Sequence, residues 1–166
     1  MDFMSRLVQN IVDISYEDLP VEVIDFTKKC IIDTFGAAMA GTTALGCKTV
    51  VDQVKEWGGK KDSTIINYGG KAPAHNVVIA NGMMARAVEL DDCHESSGQH
   101  PSVVTVPTAF AMAEQQGGRS GKDIIVAISL GSDLMCRMRM ACKRPLAVTP
   151  WALSVYAPFW RSCSCQ

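Results

Sequence analysis

The stretch Asn81 to Glu114, NGMMARAVELDDCHESSGQHPSVVTVPTAFAMAE, is apolar at both ends and polar in the middle, where Glu89 to Pro101 crowds ionisable groups together. Upstream, Val77, Val78, Asn81, Met84, Ala85 and Val88 keep a helical period from Pro73 onward, and the pattern stops at Glu89-Leu90-Asp91-Asp92. Downstream, Pro101 suits the first turn of a helix with His100 at its cap, and Pro107 restarts or kinks that helix before Thr108 to Gln116. Gly117-Gly118 ends it. Two apolar helices joined by a polar loop are expected, and the fold class follows from extending that reading outward.

Toward the N-terminus, Phe3, Leu7, Val8, Ile11 and Val12 recur at helical spacing. A second helix is predicted from near Pro20, with Val23, Ile24, Phe26, Thr27, Cys30, Ile31, Thr34 and Phe35 as its buried stripe. It runs into Gly36 to Gly41, GAAMAG, small residues that let neighbouring backbones approach closely. Val50, Val51, Val54 and Trp57 mark a third helix ended by Gly58-Gly59, and Ser63 to Tyr68 alternates enough for one short strand. Toward the C-terminus, Ser120 and Asp123 match a capping box, followed by Ile124, Ile125, Ala127, Ile128, Gly131, Leu134, Met135 and Met138 as a core face. The expectation is an all-α, multi-helix domain with one short strand.

With 166 residues, 48% of them hydrophobic, the chain can build one ordinary core. A net charge of −1 and clusters no longer than Lys143-Arg144 supply no basic face, so nucleic acid is not an expected partner. No apolar run reaches bilayer length, and the start, MDFMSRLVQNIVDI, carries acids where a signal peptide has an uninterrupted apolar core. No membrane and a cytoplasmic location are the expectation. Cys30, Cys47, Cys136 and Cys142 lie in apolar, helix-like surroundings that suit reduced thiols, and the Cys163–Cys165 pair alone is a weak zinc signal.

Between the two apolar helices stand Glu89, Asp91, Asp92, Cys93, His94, Glu95, Ser96, Ser97 and His100. A histidine beside carboxylates suits proton transfer, because its ordinary pKa lies near neutrality and an acid can orient it. His100 and His94 are the candidates. Free amides in a first turn opened by Pro101 would offer an anion site, which makes acidic small molecules plausible substrates. Each residue also has an ordinary use, since Asp and Ser cap helices and Glu is commonly solvated. Asp91, Asp92, His94 and His100 could instead hold a divalent cation, but their spacing fits neither HExxH nor a CxxC knuckle, and no metal is assigned.

Asn81 to Glu114, followed by SGKDIIVAISLGSDLMCRM, resembles the N-terminal helical domain of the MmgE/PrpD family, and DTFGAAMAG, STIINYG and the ANG helix stand in the family's order. The resemblance implies a lyase or isomerase of the 2-methylcitrate dehydratase kind, acting on small polycarboxylates with no cofactor, as a homodimer in the full-length parent. The family's DFDDT and HP motifs fall on Glu89 to Cys93 and on His100-Pro101. Asp91, Asp92 and His100 match and are the implied catalytic residues. Glu89 and Cys93 replace an acid and a threonine, and the spacing to His100 is one residue longer, which weighs against a decarboxylase. Glu89, Cys93 and His94 are the implied substrate-binding residues.

A histidine that some members carry further on is replaced by Trp151. The family's second α/β domain, which contributes lysines to the site, is absent from these residues. Residues 1–159 therefore read as an incomplete helical domain and 160–166, WRSCSCQ, as a tail shifted in reading frame, where the family has Gly and then Ala. The rival reading is a non-catalytic helical remnant or oligomerising module.

Overall fold

The computed structural model describes residues 3–141. They form α1 (Phe3–Asp13), a short 3-10 turn (Tyr16–Asp18), α2 (Val21–Gly41), α3 (Cys47–Trp57), β1 (Ser63–Thr64), β2 (Lys71–Ala72), α4 (Ala74–Arg86), α5 (Ser102–Gln115) and α6 (Gly121–Ala141). The domain is all-α, as the apolar periods imply. Trp151, Cys142, Cys163, Cys165 and the 160–166 tail lie outside the described residues. Among the described residues no helix is long and apolar enough to cross a membrane.

The main core joins α2, α3, the hairpin, α4 and α5, with Val51, Val54, Ile65, Val77 and Met84 fully buried. Each such side chain contributes about 1.5–3 kcal/mol by leaving water. A second cluster gathers Ile11 of α1 with Val126, Leu130 and Leu134 of α6. Because α6 is buried on two sides, Val126, Leu130 and Cys136 join the expected Ile128, Leu134 and Met135, whereas Met138 is exposed. Val8, Val12 and Phe26 are also exposed, so the stripes on α1 and α2 are narrower than their apolar residues suggest.

Three glycines set how closely the helices pack. A methyl on Gly41 would fall on the Met84 carbonyl, so α2 and α4 cross almost backbone to backbone. On Gly82 it would stand 3.2 Å from the Val103 carbonyl oxygen of α5. That oxygen receives no helical N–H from Pro107, four residues on, and α5 runs through Pro107 without a restart. On Gly131 it would meet the Thr105 methyl at 3.1 Å, where α5 meets α6.

The expected strand over Ser63 to Tyr68 is shorter than its alternation suggests. Only Ser63–Thr64 pairs, antiparallel to Lys71–Ala72, and Asn67, Gly69 and Gly70 take positive φ in the turn between them. The buried Asn81 side chain accepts from the Ile66 amide at 3.0 Å and donates to the Thr64 carbonyl at 3.1 Å. An apparent core position on α4 therefore closes the hairpin. Further along, the Ser120–Asp123 capping box forms as read, with Asp123 N–H donating to Ser120 Oγ at 3.1 Å.

Gly41 and Gly36 lie on the same helix and give a paired prediction. Gly41→Ala should lower stability by about 1–3 kcal/mol or more through overpacking. Gly36→Ala, with nothing within 4 Å of the added methyl, should raise it by about 0.5–1 kcal/mol. Urea unfolding midpoints of the two variants check both signs.

Candidate functional site

The polar loop begins where α4 ends at Arg86. Glu89 adopts φ 56°, a left-handed conformation uncommon for a residue with a side chain, and this turns the chain back beneath Arg86. Asp91 is thereby buried, its side chain 1% exposed. Arg86 Nη1 donates to Asp91 Oδ1 at 3.1 Å, and Arg86 Nη2 stands 3.1 Å from the carboxylate of Glu89. From the other end of the loop, His100 Nδ1 lies 2.9 Å from Asp91 Oδ2, close enough for an ion pair but out of line for a well-formed hydrogen bond. One buried carboxylate thus joins a guanidinium and an imidazole, each about one-third exposed.

Asp92 has a different task. Its Oδ1 accepts the Ser102 amide at 3.1 Å and its Oδ2 accepts the Ser102 hydroxyl at 2.7 Å. The first helical residue of α5 is Ser102, with Pro101 at the cap, so Asp92 does the capping that the sequence reading gave to His100. The anion expected at this helix start is the protein's own. Burial pushes the Asp92 carboxyl above the ordinary carboxylate range, aided by the charge of Asp91 and opposed by the two Ser102 hydrogen bonds.

The loop tip is a small turn of its own. His94 N–H donates to the Gln99 carbonyl at 2.9 Å, and Gly98, at φ 60°, closes back onto His94. His94 Nδ1 accepts the Ser97 amide at 3.2 Å and sits 2.9 Å from the Ser97 hydroxyl. That ring therefore holds the turn together. Ser97 and Gln99 are buried, whereas Cys93, Glu95 and Ser96 face solvent.

Two buried thiols back the loop, Cys30 beside Ser102 and Cys136 beside Ser97. Burial pushes both up, and the hydrogen bond with each serine opposes the shift. Cys30, Cys47, Cys93 and Cys136 are all free. Among the described residues no three His, Cys, Asp or Glu side chains gather as a metal would need.

Two clefts lie elsewhere among the described residues. One, of about 200 Å³, opens between α2, β1, α4 and α5 beside Phe35 and Phe110, whose rings meet edge to face at 5.0 Å. Another, of about 160 Å³, lies between α5 and α6 near Thr105 and Gly131. Neither is lined by Asp91, Asp92 or His100. The ionisable groups instead gather where α4 ends and α5 begins, with Glu89, Asp91, Asp92 and His100 brought together, while Cys93 is exposed and His94 is tied to Ser97.

Residues 5–155 match the model of the MmgE/PrpD N-terminal domain. The chain belongs to the MmgE/PrpD family. It is also similar to the cis-aconitate decarboxylase of Homo sapiens, 27% identical over 120 residues. The match covers 70% of this chain and 25% of that protein, so the chain spans about a quarter of the relative's length.

Arg86 is the residue that the sequence reading passed over. Its signal was present, because it precedes Glu89 by three positions and Asp91 by five, but a lone arginine at a helix end reads as a favourable charge on the last turn.

The two functions of Asp92, burial and capping, separate on mutation. A carboxyl raised on folding stabilises fully below its ordinary value near 3.8, and that contribution is lost as pH rises through the raised value. Asp92→Asn keeps acceptor and donor without the buried charge, so its stability relative to wild type should rise across that acid range. Asp92→Ala should lose about 1 kcal/mol at neutral pH with the cap. Thermal unfolding from pH 3 to pH 8 distinguishes them.

Proposed function

We propose that this domain supplies one wall of the active site of a cofactor-independent lyase or isomerase acting on small polycarboxylates, with proton transfer at a carbon next to a carboxylate. The observation that carries the reading is the buried Asp91 with Arg86 on one oxygen and His100 on the other. With Nδ1 facing Asp91, Nε2 of His100 is the ring nitrogen left to exchange a proton with substrate. Asp91 orients the ring and balances the charge it gains on protonation. Asp92 positions the start of α5, and with it His100.

Such a reaction abstracts a proton from carbon and, in a lyase of the dehydratase type, expels a leaving group from the neighbouring carbon. Negative charge builds on the substrate carboxylate as the C–H bond breaks, and hydrogen-bond donors must meet it. Glu89, exposed beside Arg86, and Cys93, exposed on the loop, are substrate-contacting candidates by resemblance to the family, while the internal hydrogen bonds of His94 favour a structural role. A cytoplasmic setting is favoured by the free thiols. Assembly as a homodimer in the full-length parent is what membership of the MmgE/PrpD family suggests.

In the enzyme that carries this domain, His100→Ala should lower kcat on small polycarboxylates by about 10²-fold or more, with far-UV circular dichroism unchanged. Turnover at the wild-type rate would refute the role given to His100.

A further inference from the structure

We propose that Arg86 receives a carboxylate of the substrate, and that Glu89 occupies its place in the free chain. The inference rests on the polycarboxylate reading above and names the group that docks the substrate. A helix start is a ready place for an anion, but at α5 that place is filled by Asp92. Among the described residues, Arg86 is a cation that meets the opposite oxygen of the same carboxylate as His100.

The two ion pairs of Arg86 differ in kind. Asp91 is buried and anchors Nη1, which fixes the plane of the guanidinium. Glu89 is 76% exposed and meets Nη2 at 3.1 Å. An exposed pair contributes little to stability, so another carboxylate can replace Glu89 at small cost. A guanidinium pairs bidentately with a carboxylate in a way that an ammonium cannot. Arg86 and His100 meet the two oxygens of one Asp91 carboxylate, so a polycarboxylate seated on Arg86 is held in the neighbourhood of the imidazole. Glu89 is then a placeholder, displaced when substrate arrives.

The test is a titration of the purified chain with citrate, read by calorimetry and backbone amide NMR. Glu89→Gln should bind citrate about threefold to fivefold more tightly than wild type, because the competitor no longer carries charge. Glu95→Gln removes the same charge from an exposed position not paired with Arg86, and should stay within about twofold. Arg86→Lys keeps the charge for Asp91 but should weaken citrate by about tenfold.

Equal tightening in both glutamine variants, weaker binding in Glu89→Gln, or unchanged affinity in Arg86→Lys would overturn the proposal. So would absence of citrate binding by wild type and Glu89→Gln at millimolar concentration. His100→Ala should bind citrate within about threefold of wild type. If that variant also turned over normally in the enzyme, the proton-transfer reading would fail while the carboxylate site stood.

Discussion

The crossing of α2 and α4 at Gly41 is the contact on which the other placements depend. With a hydrogen in place of a side chain, the α2 backbone rests on the Met84 carbonyl, two residues before Arg86. Gly82, two residues before Met84 on α4, admits the Val103 carbonyl of α5, three residues after His100. The two ends of the polar loop are therefore fixed to one another by backbone contacts rather than by flexible side chains. Close-packed interiors resist small displacements, so the Arg86–His100 separation is a property of the helix packing.

Within that frame the loop distributes its acids by burial. Asp91, with its side chain buried, takes a guanidinium and an imidazole as partners. Asp92, half-buried, takes the start of a helix, and Glu89, exposed, takes the remaining arm of Arg86. The costs differ accordingly, because a buried carboxylate that loses its partner is left without compensation whereas an exposed one returns to water. A loop arranged in this way keeps its inner side rigid and its outer side exchangeable, which suits a surface that must hold a histidine still and admit a carboxylate.

Much of this was legible in the sequence. The periods of Val77 to Ala85 and Ile124 to Met135, with Gly58-Gly59 and Gly117-Gly118 as stops, placed the helices, and the GAAMAG segment announced the close crossing. The strand was overread, because alternation in Ser63 to Tyr68 says nothing about the turn that Asn67 and Gly69 impose. Asp91, Asp92 and His100 were recognisable as a group, but their division of labour depends on which carboxylate is buried, and that is decided by the left-handed turn at Glu89. Arg86 carried only a weak signal, its spacing to Glu89 and Asp91, because its pairing with Asp91 is set by a chain reversal at Glu89 that no local propensity encodes.

The central claim is that Asp91 fixes His100 with Nδ1 inward and Nε2 free for proton exchange. Long-range proton–nitrogen NMR correlation of the histidine rings in the purified chain tests it most directly. The account predicts that the neutral imidazole of His100 carries its proton on Nδ1. A ring protonated on Nε2, or one that exchanges freely between both forms, would contradict it.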